Sequence, residues 1–287
     1  MKDIVYFYHL SRPLNVMITL LAFSLSAFLG LNRSFSFLSD ATFWCGGLCL
    51  VLIAATGYWV NDAYDFKIDR LNKPRKVIVN AHLSRKKVLT GYFTAVLLTL
   101  VFSFFTLDLA LTTINFASAT LLFAYAALLK RTTVVGNLVI AALTALVVYY
   151  AAVMYGLNLA LIWTIAFAFE VTFIREVVKD VEDINGDLQF HLQTLPIRIG
   201  IRATKRVLLF SYLAFLLSCY GPVISELVLK SHFNWRYLIA SLILVQIPTL
   251  YLIQQLRQAQ QPADFTRQSQ WLKILIFLGM TSILFLT

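Results

Sequence analysis

The sequence predicts an all-α, polytopic membrane protein: a bundle of nine transmembrane helices. Three observations lead there. Of 287 residues, 60% are hydrophobic and only 13% charged, with a mean hydropathy of +0.77, whereas a soluble domain carries about 25% charged residues. The apolar residues form continuous runs of spanning length rather than an alternating pattern, which selects helices over a barrel. The charges gather between those runs.

Spans are expected at 14–32, 42–60, 88–106, 109–128, 135–155, 157–178, 203–224, 235–256 and 270–287. The first follows MKDIVYFYHLSRPLN, which lacks a cleavable-signal pattern, so this helix is expected to stay in the mature protein. The second stops where NDAYDFKIDR begins. A tight break near Leu107-Asp108 parts the third from the fourth, and the polar loop QQLRQAQQPADFTRQSQ leads into the ninth. No linker or low-complexity tract interrupts the chain, so residues 1–287 read as one domain.

Of the 24 Lys and Arg, all but Arg33, Lys230 and Arg236 fall on one side of these spans. The positive-inside rule makes that side cytoplasmic, with the N-terminus inside and, after nine crossings, the C-terminus outside. The net charge of +10 therefore points to a lipid bilayer and not to nucleic acid. Cys45, Cys49 and Cys219 lie within apolar runs without His or further Cys near them, as buried small hydrophobes do.

Two acidic stretches stand out against this background. Asp62, Asp65 and Asp69 form one; Asp180, Asp183 and Asp187 form the other, and each is spaced i, i+3, i+7. That spacing lines carboxylates along one helical face, with Glu176 extending the second row by a turn. Stacked like charges repel, and a cation between them reverses the sign. Carboxylates without His or Cys select hard ions, Mg²⁺ before zinc, and Mg²⁺ completes its shell with water and substrate phosphate. Two such rows on one side of a membrane point to a diphosphate site, with Lys67, Arg70, Lys73, Arg75, Lys76, Lys130, Arg131, Lys179 and Arg198 as a pool of counter-charge. Asn61 also reads as an N-cap, and Gly186 as the end of the acidic helix or a turn.

The stretch NDAYDFKIDRLNKP resembles the NDxxDxxxD signature of the UbiA-superfamily intramembrane prenyltransferases. KDVEDINGDLQFHLQTLPIRIG resembles their second, DxxxD-containing motif with its trailing Thr-Leu-Pro and Gly, while YAALLKRTTVVGN and RPLN are similar to weaker signatures. The resemblance spans nearly the whole chain. It implies a nine-helix bundle around a central cavity under a cytoplasmic cap. It also implies Mg²⁺-dependent transfer of a prenyl group from a polyprenyl diphosphate to an acceptor, with diphosphate released. Carried over by position, Asn61, Asp62, Asp65, Asp69, Asp180, Asp183 and Asp187 form the Mg²⁺–diphosphate site, and Lys130 contacts the diphosphate.

One stretch departs from the pattern. Many members follow the first motif with something like RPIPSG, where this chain has KVIVNA: Lys76 replaces an Arg and Val77 a Pro. Lys lacks the bidentate fork of Arg, and Arg75 is expected to substitute. The motifs look most like those of the geranylgeranylglycerol-phosphate geranylgeranyltransferases and their bacterial relatives. That implies geranylgeranyl diphosphate as donor and an isoprenyl glycerol phosphate as acceptor, with aromatic acceptors as the alternative.

The chemistry so implied ionises an allylic C–O bond, and Tyr125, Tyr149 and Tyr150 are candidates to face the resulting cation. Glu170 lies within a span, where it either serves the acceptor or hydrogen-bonds a neighbouring helix. Two rival classes fit less well. The compact DG…AR…G…D…D run of CDP-alcohol phosphotransferases is absent, and an acid-gated transporter would place its charges near mid-membrane rather than at helix ends.

Overall fold

The computed structural model describes residues 2–72, 74 and 77–286, so Lys73, Arg75 and Lys76 lie outside the described residues. The described residues are helical, with no strand among them beyond an isolated Val79–Leu83 bridge. They divide into two compact units, residues 1–131 with 150–156, and residues 132–149 with 157–287.

The first unit is built around α3 (Ala41–Asn72), against which pack α1 (Lys2–Leu10), α2 (Pro13–Gly30), α4 (Arg85–Thr106) and α5 (Leu109–Ala127). At 32 residues α3 is about 48 Å long, well beyond the about 30 Å of hydrocarbon a bilayer offers. The acidic motif therefore does not follow this helix but is its last third. Asn61 sits mid-helix and is not an N-cap, and the expected boundary at residue 60 moves to Asn72. Close approach of α3 and α5 relies on Gly57, where a Cβ would come within 2.9 Å of the Leu122 side chain. The expected break between α4 and α5 is present, with the Asp108 carboxylate accepting the Leu111 N–H at 2.8 Å as an N-cap. At the motif end, Leu10, Ala63, Val79, Leu83 and Val88 form a small core flanked by Trp59, Phe66 and Ile78. The stretch that departs from the family pattern thus supplies apolar anchors, Ile78 and Val79.

In the second unit α7 (Leu159–Glu182) takes the central place, packed by α10 (Ile201–Ser218), α11 (Gly221–Lys230) and α14 (Pro262–Ile283). Val171, Ile174, Val178, Leu208, Tyr212, Phe215, Leu252 and Leu272 form its core. Trp163 of α7 lies flush on Gly221, where a Cβ would fall 1.9 Å from the indole. Two short helices, α8 (Ile184–Gln189) and α9 (Leu195–Ile199), follow α7. The pair α12 (Trp235–Ser241) and α13 (Ile247–Gln258) is joined through a π-helical turn at Leu242–Gln246. α6 (Val135–Tyr155) gives its first residues to this unit and its last to the other. The polar loop expected before the ninth span shrinks to residues 259–261, because Gln261 and Asp264 form a capping box that starts α14 at Pro262.

Among the described residues, seven helical stretches are long and apolar enough to cross a membrane: α2, α3, α4, α5, α6, the α10–α11 pair and the α12–α13 pair. Large apolar side chains along them are exposed, Phe105 at 79% and Leu109 at 78% among them, as lipid contact requires. This is an integral membrane protein. The three cysteines are unpaired thiols, with Cys49 and Cys219 buried and Cys45 half-buried.

Candidate active site

Within the first unit, Asp62, Asp65 and Asp69 share the unbroken end of α3, Asp65 buried and the other two half-buried. Each of the first two holds a cation from far along the chain. Arg12 Nη2 donates to Asp62 Oδ1 at 2.6 Å, and Lys130, just past α5, forms an ion pair with Asp65. Arg12 reaches its carboxylate from the α1–α2 junction in a left-handed backbone conformation, φ 49°, which a non-glycine residue adopts only at a cost. Its guanidinium also lies 4.8 Å over the Tyr58 ring. Asn61 hydrogen-bonds Asp62. Lys130, expected on the diphosphate, thus sits on a row carboxylate; Arg70 is exposed and donates to the Asn80 carbonyl at 3.4 Å.

The second row differs in its backbone. α7 ends at Glu182, Asp183 is the junction residue (φ −94°, ψ 6°), and Asp187 belongs to α8. The expected single helical face is therefore interrupted. The break falls at Asp183 and not at Gly186, which is buried inside α8. The Asp183 carbonyl still accepts the Gly186 and Asp187 N–H groups at 3.1 and 3.2 Å, which holds the two segments in register. Glu176 takes the local cations, Lys179 at 2.8 Å and Arg175 at 3.0 Å. Asp180 receives a neutral donor, Asn137 Nδ2 of α6, at 2.9 Å.

The donor chemistry fits Mg²⁺. Both rows are all-oxygen, Arg12 and Lys130 stand as positive charge on the first, and on the second the half-buried Asp180 carboxyl accepts from the neutral Asn137 amide. Among the described residues no three His, Cys, Asp or Glu side chains converge closely enough to hold an ion by themselves. An ion here must draw oxygens from water or substrate, which is the usual habit of Mg²⁺.

Outside the rows, Glu170 accepts from Ser218 Oγ at 2.6 Å, a bond between α7 and α10 that favours its helix-pinning reading. Tyr150 is fully buried, edge-on to Phe23 and accepting from Asn115 Nδ2 at 3.2 Å, a packing residue of the first unit. Tyr149 is 44% exposed. Arg12 and Asn137 lay inside quoted signatures without a role. Asn137 had one legible signal, an amide near the start of an otherwise apolar run.

Residues 16–277 match the model of the UbiA prenyltransferase family. The chain belongs to that family. Among its relatives, the digeranylgeranylglyceryl phosphate synthase of Saccharolobus solfataricus is 33% identical over 244 residues, 83% of this chain and 82% of that protein. A solved structure of a digeranylgeranylglyceryl phosphate synthase in membranes superposes with a TM-score of 0.75 at 24% identity, covering 99% of this chain and 98% of the other. A UbiA homologue from Archaeoglobus fulgidus, bound to GPP and Mg²⁺, gives 0.66 at 17% identity over 97% and 99%. The fold is thus UbiA-like, and the protein is an intramembrane prenyltransferase.

Proposed function

We propose that this chain, as a single domain, transfers a geranylgeranyl group from its diphosphate to an isoprenyl glycerol phosphate and releases diphosphate. The site would consist of Asn61, Asp62, Asp65 and Asp69 facing Asp180, Asp183 and Asp187 across a central cavity, with Mg²⁺ and the diphosphate between the rows. In this reading α7 and α14 join the seven apolar stretches as spans and the motif ends are cytoplasmic beneath a cap. The N-terminus is then inside and the C-terminus outside.

The observation that carries the proposal is the state of the first row, where Asp62 and Asp65 hold Arg12 and Lys130. A membrane protein that keeps carboxylates at a helix end, each matched to a distant cation, has charge to exchange with an incoming ligand. When bound, Mg²⁺ supplies Lewis-acid stabilisation of the charge developing on the leaving diphosphate. The chain's own part is to orient and neutralise. Lys130 and Arg12 sit beside the carboxylates and are placed to turn toward phosphate oxygens, and Asn137 holds the Asp180 carboxyl in a fixed direction. Arg75 and Lys76 would add to the diphosphate contact. The synthase relatives support the glycerol phosphate acceptor.

Purified protein with Mg²⁺ and geranylgeranyl diphosphate should release diphosphate when given geranylgeranylglyceryl phosphate. Turnover with 4-hydroxybenzoate or a naphthoate, and none with the glycerol phosphate, overturns the acceptor assignment.

A further inference from the structure

Tyr58 precedes Asp62 by one turn of α3, so both side chains leave the helix on nearly the same face, the tyrosine on the apolar side of the acid row. Its half-buried ring already attracts a cation. The Arg12 guanidinium lies 4.8 Å from the ring centroid while bonding Asp62 at 2.6 Å. A single positive charge is thereby held between an aromatic face and a carboxylate. The neighbouring Trp59 is otherwise engaged, donating to Ser11 Oγ at 2.9 Å and packing on Phe7.

A polyprenyl diphosphate at the acid row puts its phosphates toward the carboxylates and its hydrocarbon toward the apolar length of α3. The carbon joining the two, C1, then falls at the level of Tyr58. We propose that the Tyr58 ring is the aromatic face that stabilises the positive charge developing at C1. This rests on the prenyl-transfer reading above. The C1–O bond breaks with both electrons leaving on the diphosphate oxygen. The acceptor hydroxyl oxygen supplies the pair for the new bond to C1, and its proton passes to the departing diphosphate. A cation held by the Asp62 carboxylate would repel Arg12, whose N–H fork suits phosphate oxygens, and leave the ring face to the carbocation. Tyr150 does not serve here, being enclosed by packing.

The test combines substitution with ring electronics, read as single-turnover rate. Tyr58→Phe keeps the ring and should stay within about twofold of the parent, whereas Tyr58→Leu should lose about 3- to 30-fold in rate with little change in KM for the prenyl diphosphate. Phenylalanines carrying one, two and three ring fluorines at position 58 should slow the reaction stepwise, a trend that packing alone does not produce and that stands even where the leucine variant fails to fold. A parent-like rate for Tyr58→Leu, or rates indifferent to fluorination, overturns the ring's role while Asp65→Ala remains inactive. A parent that releases no diphosphate overturns this proposal and the function together.

Discussion

The two acid rows share a spacing but not an electrostatic state. On α3 the backbone is continuous and the charge is balanced from afar, by Arg12 fifty residues upstream of Asp62 and by Lys130 beyond α5. On α7 and α8 the backbone breaks at Asp183, the local cations are taken by Glu176, and Asp180 has an amide for a partner. On the first row Asp62 and Asp65 are thus each balanced by a distant cation, whereas on the second Asp180 accepts from a neutral amide. Identical sequence spacing specifies where carboxylates are presented, while the tertiary partners decide how strongly each row demands a cation.

The largest effects test what the rows have in common. Asp65→Ala and Asp183→Ala should each lower Mg²⁺-dependent diphosphate release by about 1000-fold or more, with the protein still eluting as a folded species in detergent. Near-parent turnover in either removes that row from the site.

The next test separates the rows. Lys130 and Asp65 are only 13% and 11% exposed, so Lys130→Ala strands a carboxylate and should cost about 3–5 kcal/mol of stability, seen as a lower thermal midpoint. Lys179→Ala should cost far less, because Glu176 keeps Arg175. Equal losses in the two variants would erase the distinction between distant and local balance. Replacing Asn137 by Leu removes the amide that donates to Asp180 at 2.9 Å and should cost about 1–3 kcal/mol, together with a raised Mg²⁺ requirement in the turnover assay. The smallest effect belongs to the exposed Lys87–Asp3 pair, each side chain 51% accessible; Lys87→Ala should change stability by no more than about 1 kcal/mol.

Much of this was legible in the chain itself, and the failures have physical reasons. Apolar runs marked helices well because their length is set by bilayer thickness. The extension of α3 through Asn72 was hidden because charged residues ended the apolar run without ending the helix; nothing between Asn61 and Asn72 is a proline or glycine. The break at Asp183 was invisible for the opposite reason, since i, i+3, i+7 spacing is equally compatible with one helix or with two joined by a single turn. Gly186 reads in the sequence as a helix end or a turn, yet it adopts ordinary helical geometry within α8. Composition and spacing single out the carboxylates as candidates. Their partners are not so marked, because Arg12–Asp62 and Asn137–Asp180 join residues 50 and 43 apart, and no local pattern encodes such a distance.

If the two rows act as one site for a metal-bound diphosphate, ions held at either row depend on both. Electron paramagnetic resonance with Mn²⁺ in place of Mg²⁺ and a non-reacting geranylgeranyl thiodiphosphate measures this directly, by counting tightly held ions in the parent, in Asp65→Ala and in Asp183→Ala. Shared binding predicts that either substitution weakens the ions of both rows together. Loss confined to the altered row, with the other row's affinity unchanged, would contradict it.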